Sequence, residues 1–436
     1  MKIPPVKGTR DFYPQDMAVR NWIIDGWKKV SVRNGFEEYD GPIFEYLKMF
    51  QLKSGDEIVE QLFSLKDRGG RDLAIRPEIT PTLARMVNQK INSLPRPIKW
   101  FSVPRLCRAE RPQRGRLREF FQWNIDIIGV EDGLKKNLAD AEVIFTTVDY
   151  LRKVGLTDKD IKVKISSREV LANYLRSLDV PEDKLEPIYV VLDKKNKLPS
   201  ETFEQMLGEQ VPDNKIVNKI VDFMSVDSIP QLEELVKIKS ESGEYSAYLD
   251  IKMVLDNLTM MGIKDFCVYD PSIVRGLAYY TGIVFEVHDT AGELRAICGG
   301  GRYDNLLRDF GGPAIPATGM GMGDCVLEIL LREKGLLKPE PRELDYFVAC
   351  IGFIGEEAWR IVAKLRSMGY SAAFSYKAGN LSKQLKEASA QKAEKCIIIG
   401  QEEIEEGKIK VKDMATGQQK KIDEDKFFEE LKSESK

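Results

Sequence analysis

The chain of 436 residues contains a single histidine, His288. This scarcity excludes a zinc site of the His-Glu-x-x-His kind, and a Ser-His or Cys-His nucleophile could use only this one residue. His288 ends a predicted strand in YYTGIVFEVHD and precedes Asp289, a residue typical of turns, so we predict a structural or solvated role for it. Any catalysis by this chain is therefore expected to rely on fixed charge and positioning rather than on an imidazole base.

Cysteine clusters, a basic net charge and long apolar runs are also missing. The six cysteines lie far apart without a Cys-x-x-Cys pair, which favours free thiols over a structural zinc site. The net charge is −3, so any contact with nucleic acid must use a local patch. No apolar run is long enough to span a bilayer, and MKIPPVKGTRDFYPQ has no apolar signal region. We expect a cytoplasmic protein that makes no membrane contact.

The common phosphate-binding motifs are absent as well. No Gly-x-x-x-x-Gly-Lys-Ser/Thr run occurs, and GMGMG at 319–323 lacks the Gly-x-Gly-x-x-Gly spacing of dinucleotide folds. GGGRYD at 299–304 instead indicates close approach of the backbone to a ligand or a neighbouring strand, with a tight turn as the alternative.

What the sequence does contain is an arginine-rich hairpin. Six arginines fall within residues 105–118, and residues 112–116 provide a turn between a strand at 100–110 and the strand that follows. The second strand, FFQWNIDII, alternates apolar and polar residues, so one face is predicted to be polar: Gln122, Asn124 and Asp126. A cationic turn beside a polar strand face could bind a polyphosphate next to a small polar molecule.

Changes in composition predict the domains. Residues of about 160–265 are rich in Lys, Asp and Glu, and we interpret them as a mostly helical insertion in a first domain, 1–330. Residues 331–344 are charged and hold two prolines, which predicts a linker. Strand and helix patterns alternate in 345–436, which favours an α/β domain.

Lysines are frequent in this last domain, where they indicate a solvated face or, if gathered on one side, an RNA surface. They are Lys377, Lys383, Lys386, Lys392, Lys395, Lys408, Lys410 and Lys412.

Six segments, taken in order, identify a family that the chain resembles. They are GTRDFYP (8–14), RPEIT (76–80), RAERPQRGRLREFFQ (108–122), RGLAYYTGIVFE (275–286), GGGRYDNLL (299–307) and the C-terminal segment with KVKDMATGQQ. The chain resembles the histidyl-tRNA synthetases, which are class II aminoacyl-tRNA synthetases. This resemblance implies an α+β catalytic domain with a mostly antiparallel sheet, a helical insertion and a C-terminal α/β anticodon-binding domain.

The resemblance implies a histidine–tRNA ligase that activates histidine with ATP, releases pyrophosphate and transfers the histidyl group to the 3′ end of tRNA(His). Negative charge builds on phosphate oxygens in the first step, and cations fixed in advance stabilise it. By resemblance, Arg108 and Arg275 are the catalytic cations. Arg108, Glu110, Arg116 and Phe120 would bind ATP, with Phe120 on the adenine and Mg²⁺ bridging phosphate oxygens.

The family's histidine pocket is carried over onto matching positions in the same way. The α-amino group would contact Glu78, Thr80 and Gln122, and Asp126 and Tyr280 would bracket the imidazole. Arg275 and Tyr303 would complete the pocket. No protein ligand for a metal is assigned.

The resemblance also implies partners. Pro42 matches a proline that lies at a dimer interface in the family, so a homodimer is expected. The insertion would lie over the acceptor stem of tRNA, and residues 345–436 would bind the anticodon, whose bases are exposed.

Four positions depart from the family's pattern. Val326 stands where an arginine normally contacts the γ-phosphate, which leaves Arg111, Arg114 or another cation for that role. Asp126 replaces a usual glutamate and shortens the reach to the imidazole by one methylene. Ala278 stands where aspartate is common, and Ile79 replaces a frequent glycine.

Two other functions compete with the ligase. One is a non-catalytic, synthetase-like regulatory subunit of ATP phosphoribosyltransferase, but such paralogues usually lack the anticodon domain and lose the ATP-binding arginines. The other is a synthetase-derived RNA-binding module without turnover. The presence of residues 345–436 together with Arg108, Arg116 and Arg275 favours the enzyme.

Overall fold

The computed structural model describes most of the chain: residues 3–51, 62–130, 133–195, 198–237, 244–274, 280–339, 344–352, 355–376 and 380–434. The chain forms two compact units, Met1–Pro339 and Glu340–Lys436. Within the described residues, no helix is both long and apolar enough to cross a membrane.

A large sheet organises the first unit. Its spatial order is β1-β5-β7-β12-β11-β10-β8-β9, with β6 paired to β7. The strands are β1 (Glu37–Glu38), β5 (Ile98–Ser102), β6 (Arg105–Cys107), β7 (Glu119–Ile128), β8 (Ile161–Ser167), β9 (Cys267–Tyr269), β10 (Ile283–Asp289), β11 (Cys298–Arg302) and β12 (Ala317–Gly323). The pairs β1–β5 and β8–β9 are parallel and the others are antiparallel. The predicted mostly antiparallel sheet is confirmed.

A smaller sheet of the first unit has the order β2-β4-β3. Its strands are β2 (Phe44–Tyr46), β3 (Phe63–Lys66) and β4 (Asp72–Ile75).

Helices cover the large sheet and fill the region between β8 and β9. Those outside this region are α1 (Pro14–Arg33), α2 (Leu47–Gln51), α3 (Thr80–Lys90), α4 (Gly133–Lys153), α11 (Leu306–Asp309) and α12 (Asp324–Glu333). Those between β8 and β9 are α5 (Arg168–Ser177), α6 (Glu182–Leu192), α7 (Ser200–Gln210), α8 (Asn214–Phe223), α9 (Ile229–Lys237) and α10 (Glu244–Met260). The helical region therefore follows β8, a strand of the large sheet.

The predicted hairpin is confirmed, with one correction. Residues 100–110 do not form one strand, because β5 ends at Ser102 and β6 begins at Arg105. Pro104, which lies between them, has no N–H to donate to a ladder. Its carbonyl accepts from the backbone N–H of Gln122 at 3.1 Å instead.

The second and third glycines of GGGRYD allow close approach between strands, as the sequence indicated. A Cβ on Gly300 would lie 2.1 Å from the carbonyl oxygen of Gly319 in β12. A Cβ on Gly301 would lie 2.5 Å from the carbonyl oxygen of Ile283 in β10. Any larger residue would push the three strands apart.

The second unit is the predicted α/β domain. Its sheet has the order β14-β13-β15-β16-β17, and β13 is parallel to both of its neighbours. The strands are β13 (Leu344–Cys350), β14 (Ala372–Phe374), β15 (Ala393–Ile399), β16 (Lys408–Asp413) and β17 (Gln419–Asp423). The helices are α13 (Gly355–Ser367), α14 (Leu381–Ala390), α15 (Gln401–Glu405) and α16 (Glu424–Glu434). Asn380 caps α14, as predicted, by accepting from the N–H of Lys383 at 3.0 Å.

Replacing Gly300 by alanine should destabilise the first unit by at least about 1–3 kcal/mol, because the new methyl group meets backbone atoms that cannot rotate away. Gly208→Ala is the matched control: Gly208 lies inside α7 with open space around it, so this change should raise stability by up to about 1 kcal/mol. Urea unfolding measures both. Equal stability of the two variants would contradict the packing of β11 against β12.

Candidate active site

One face of β7 carries the polar side chains that the sequence singled out. Trp123, Ile125 and Ile127 are buried in the main core on the other face. Antiparallel pairing with β12 sets Gly319 opposite Asp126. A Cβ at Gly319 would lie 2.1 Å from Asp126 Oδ1.

A second glycine of GMGMG, Gly321, leaves space for the side chain of Gln122. A Cβ at Gly321 would lie 2.9 Å from Nε2 of Gln122. The glycines of β12 therefore make room for the polar side chains of the neighbouring strand, a use that differs from phosphate binding. Their role was not predicted, although their alternate spacing along one strand face was visible.

Asp126 is the buried acceptor of this face. Only 4% of its surface is exposed, and its Oδ1 accepts a short hydrogen bond from the hydroxyl of Tyr303. Its Oδ2 is buried and has no hydrogen-bond partner among the described residues. Burial raises the pKa of Asp126 to about 7, although the bond from Tyr303 opposes that rise. An unsatisfied buried carboxylate oxygen is costly unless a ligand supplies a donor.

Two further buried hydroxyl groups lie on the same side of the sheet, and neither was predicted from the sequence. The ring of Tyr39 lies 5.6 Å from that of Trp100, the residue opposite Asp126 on β5. The hydroxyls of Tyr39 and Ser102 are buried and have no partner within the described parts of the chain. Burial, followed by the charge of Asp126, raises the pKa of Tyr39 well above its usual value. The parallel pairing of β1 with β5 brings Tyr39 here, and a local pattern does not reveal such pairing.

Arg108 links the hairpin to the segment that carries Glu78. Its Nε donates to the carbonyl of Pro77 at 3.0 Å, and its guanidinium lies over the ring of Phe120 at 5.2 Å. Glu78 is 5% exposed, and Thr80 begins α3 two residues later. The backbone thus brings a predicted phosphate ligand, a predicted adenine contact and two predicted amine ligands to one region.

The hairpin tip holds its charges in pairs. Glu110 is largely buried and forms a short ion pair with Arg116. Arg114 pairs with Glu333 of α12, and both side chains are exposed. The predicted ATP ligands Glu110 and Arg116 are therefore in contact with each other.

Val326, at the position of the family's arginine, packs against this tip. It is buried, and a Cβ at Gly115 would lie 2.9 Å from its Cγ2. Gly115 adopts a φ of +73°, which glycine tolerates without strain. The side chain at this position therefore supports the turn by apolar contact.

The N-terminal GTRDFYP segment anchors the hairpin. The backbone N–H of Arg118 donates to the carbonyl of Gly8 at 2.8 Å. Arg10 forms an ion pair of 2.6 Å with Asp324, the buried first residue of α12, whose Oδ1 also accepts from the N–H of Phe121 at 3.0 Å. Burial raises the pKa of Asp324, and Arg10 opposes that rise. The segment thus joins β7 to α12.

The structure describes some of the remaining predicted site residues and not others. Tyr280 is buried in the same apolar cluster as Tyr303 and Tyr39. Arg275 and Ala278 lie outside the described residues. Ile79, which replaces a frequent glycine, is fully buried in this cluster.

His288 has a neighbouring carboxylate, and the cysteines form no disulfides. His288 Nε2 lies 2.9 Å from an oxygen of Glu286 on β10, an ion-pair or hydrogen-bond geometry. All six cysteines are free. Within the described ranges, no group of three potential metal-ligating side chains occurs.

The N-terminal unit therefore combines cations at a hairpin with a buried acceptor on the adjoining strand. Such a site can hold an anion at one end and accept an N–H group of a small polar ligand at the other.

The chain matches two family profiles. Residues 8–323 match the profile described as histidyl-tRNA synthetase, and residues 345–434 match the profile described as anticodon binding domain.

Similar proteins extend over nearly the whole chain. It is 40% identical to the chloroplastic/mitochondrial histidine–tRNA ligase of Arabidopsis thaliana, with 96% of this chain and 84% of that protein covered. It is 38% identical to the histidine–tRNA ligase of Opitutus terrae, with coverage of 94% and 93%. A crystal structure of histidyl-tRNA synthetase from Nostoc sp. PCC 7120 has the same fold, with a TM-score of 0.79, 23% identity and full coverage of both chains.

The buried Asp126 predicts a specific dependence of stability on pH. The folded state retains its proton up to a pH of about 7, whereas an unfolded aspartic acid loses it near pH ~3.9. Stability contributed by the neutral form is thus present at low pH and is lost as pH rises between these values.

Asp126→Asn removes this titration. The free energy of unfolding of the variant, measured relative to the parent chain, should rise with pH between 4 and 7 by up to about 1.4 kcal/mol per pH unit. Urea unfolding of both proteins at pH 5 and 8 provides the measurement. A pH-independent difference would show that Asp126 ionises normally in the folded protein.

Proposed function

Since the chain belongs to the histidyl-tRNA synthetase family, we propose how its residues perform the reaction of a histidine–tRNA ligase. The chain is an ATP-dependent aminoacyl-tRNA ligase. It joins histidine to the AMP moiety of ATP as an adenylate with release of pyrophosphate, and then transfers the histidyl group to tRNA(His) with release of AMP.

The observation that best supports the residue assignment is the open oxygen of Asp126. Histidine offers an imidazole N–H, and Oδ2 of Asp126 is a buried acceptor with no partner in the described structure. Tyr303 holds the other oxygen and so fixes the plane of the carboxylate. An amino acid without a matching N–H would leave Oδ2 unpaired, which disfavours it strongly. Tyr280 is proposed to contact the second imidazole nitrogen.

The α-amino group of histidine is proposed to bind to Glu78, Thr80 and Gln122. Burial of Glu78 supports this role, because a carboxylate in a buried position stabilises an ammonium group strongly. The adjoining contact of Arg108 with Pro77 brings the amine site close to the phosphate site.

ATP is proposed to lie along the hairpin. Phe120 stacks on the adenine, and Arg108 binds the α-phosphate and the histidine carboxylate. Arg116 and Glu110 contact the nucleotide, and Arg275 is assigned from the sequence as the second catalytic cation. Charge that develops on the α-phosphate as the carboxylate attacks is then stabilised without a general base.

Mg²⁺ fits this site as an ion carried by ATP. The described residues offer no group of three protein ligands, and Mg²⁺ commonly keeps substrate phosphates and water in its shell. When bound, it would neutralise charge on the leaving pyrophosphate.

The γ-phosphate needs a cation other than residue 326. Arg114 is already paired with Glu333, whereas Arg111 is exposed at the same tip. We therefore assign Arg111 to the γ-phosphate.

The domains are proposed to divide the tRNA between them. Residues 1–330 carry catalysis, their insertion at about 160–265 lies over the acceptor stem, 331–344 link the domains, and 345–436 bind the anticodon. The match of residues 345–434 to an anticodon-binding profile supports this division and disfavours the regulatory-subunit alternative.

A homodimer is proposed to form through the region after Pro42. Ile43, Phe44 and Tyr46 are each more than half exposed, and β2 is an edge strand. Exposed apolar side chains on an edge strand favour contact with another chain. The proposed location is the cytoplasm, as expected from the sequence.

Arg108→Ala should lower histidine-dependent exchange of pyrophosphate into ATP by about 10²–10³-fold, because a fixed charge at the transition state is lost. Arg332→Ala is the control, since that exposed side chain pairs only with Glu328 on its own helix among the described residues. Absence of histidine-dependent exchange in the parent chain would refute the assigned chemistry. A normal rate for Arg108→Ala would mean that another cation acts.

Phe44→Asp should convert the dimer to a monomer, because a charge placed in an apolar interface has no partner. Leu138→Asp, at an exposed position on α4, should leave the dimer intact. Sedimentation velocity distinguishes the states. A parent chain that sediments as a monomer would rule out the dimer.

A further inference from the structure

Three aromatic rings form an exposed cluster on the second unit. Tyr376 is 82% exposed and Trp359 is 49% exposed, while Phe374 between them is half-buried. The ring centroids of Trp359 and Phe374 lie 4.5 Å apart, and those of Phe374 and Tyr376 lie 4.7 Å apart. Contiguous exposed apolar patches often mark a binding site.

The cluster lies at the carboxyl end of the edge strand β14, and ligands of parallel sheets bind at the carboxyl ends of the strands. The chain passes from β13 to β14 on one side and then to β15 on the other side of β13. The two connecting helices, α13 and α14, pack into different cores. Ligands of such sheets bind at the carboxyl ends of the strands, next to this change of direction.

The cluster residues occupy that end of the sheet. Phe374 is the last residue of β14, and Tyr376 follows two residues later. Trp359 lies in the first half of α13, the helix that follows β13.

Two lysines of the same unit are held in ion pairs. Lys410 forms an ion pair of 2.6 Å with Glu403, and Lys408 forms one of 2.9 Å with Glu406. A lysine held by a glutamate contributes less to phosphate binding than an unpaired one. Stacking on aromatic rings is therefore a source of affinity that does not depend on these two lysines.

We propose that Trp359, Phe374 and Tyr376 form a platform on which unstacked bases of the tRNA anticodon loop stack. This inference rests on the proposed role of residues 345–436. Each base presents a planar π-face on which an aromatic side chain can stack. Three rings are therefore enough to hold a few unstacked bases of one loop. The cluster is small against the ~800 Å² per partner of a stable protein interface.

The test separates stacking from simple apolar contact. Trp359 and Tyr376 are each replaced by phenylalanine and, separately, by leucine. Charging of full-length tRNA(His) and of a minihelix that contains only the acceptor stem is measured, together with histidine-dependent pyrophosphate exchange.

Each leucine variant should raise the KM for full-length tRNA about tenfold or more, whereas each phenylalanine variant should stay within about twofold of the parent chain. Charging of the minihelix and pyrophosphate exchange should be unchanged in all four variants, because both report on the first unit. Thermal unfolding of each variant, followed by circular dichroism and compared with the parent chain, shows whether the second unit is folded. The rise in KM of the leucine variants should persist as the salt concentration is raised, because stacking depends weakly on salt.

Three results would overturn the platform: leucine variants that charge full-length tRNA normally, equal losses with leucine and phenylalanine, or losses that also affect the minihelix. A changed sedimentation coefficient in the leucine variants would assign the cluster to a protein interface instead. Failure of the proposed function is a separate outcome, visible as absent exchange in the parent chain.

Discussion

Alternation of side chains along β7 is the constraint on which the site depends. Its core face is apolar, so a slip of one residue in pairing would turn Asn124 and Asp126 into the apolar core and Trp123 toward the polar site. The register is held by ladders with β5 and β12 on both sides. Glycines of β12 then leave the volume that the polar side chains need. The position of Asp126 is thus set by backbone pairing rather than by a flexible loop.

The arginines of the hairpin are held by ion pairs and by hydrogen bonds to backbone carbonyls. Among its arginines, Arg114 and Arg116 are in ion pairs, while Arg118 donates to the carbonyl of Glu110 at 2.9 Å. Pairing reduces the repulsion among like charges that are crowded on one turn. It also fixes guanidinium groups before a ligand arrives, so less ordering is required on binding. A polyphosphate must then compete with Glu110 and Glu333 for these donors.

Local patterns predicted much of this architecture. Period-two alternation identified β7, and Asn380 marked the start of α14. Pairing between distant segments was less accessible. Arg10 and Asp324 are 314 positions apart, and Asp126 and Tyr303 are 177 apart. The contact of Asp126 with Tyr303 agrees with their placement by family resemblance, whereas their roles in histidine binding remain predictions. Tyr39 was missed because only the parallel pairing of β1 with β5 brings it to the site.

The shorter carboxylate at position 126 has a physical consequence for recognition. Asp126 is retracted toward the strand relative to a glutamate, and the glycine at 319 is what permits this buried position. Burial disfavours its charged form, while the Tyr303 hydroxyl favours it. An imidazole N–H that reaches Oδ2 adds a second donor and shifts the balance further toward the carboxylate. In the proposed binding mode, a ligand with the correct donor therefore favours the charged form of Asp126, and a ligand without that donor does not.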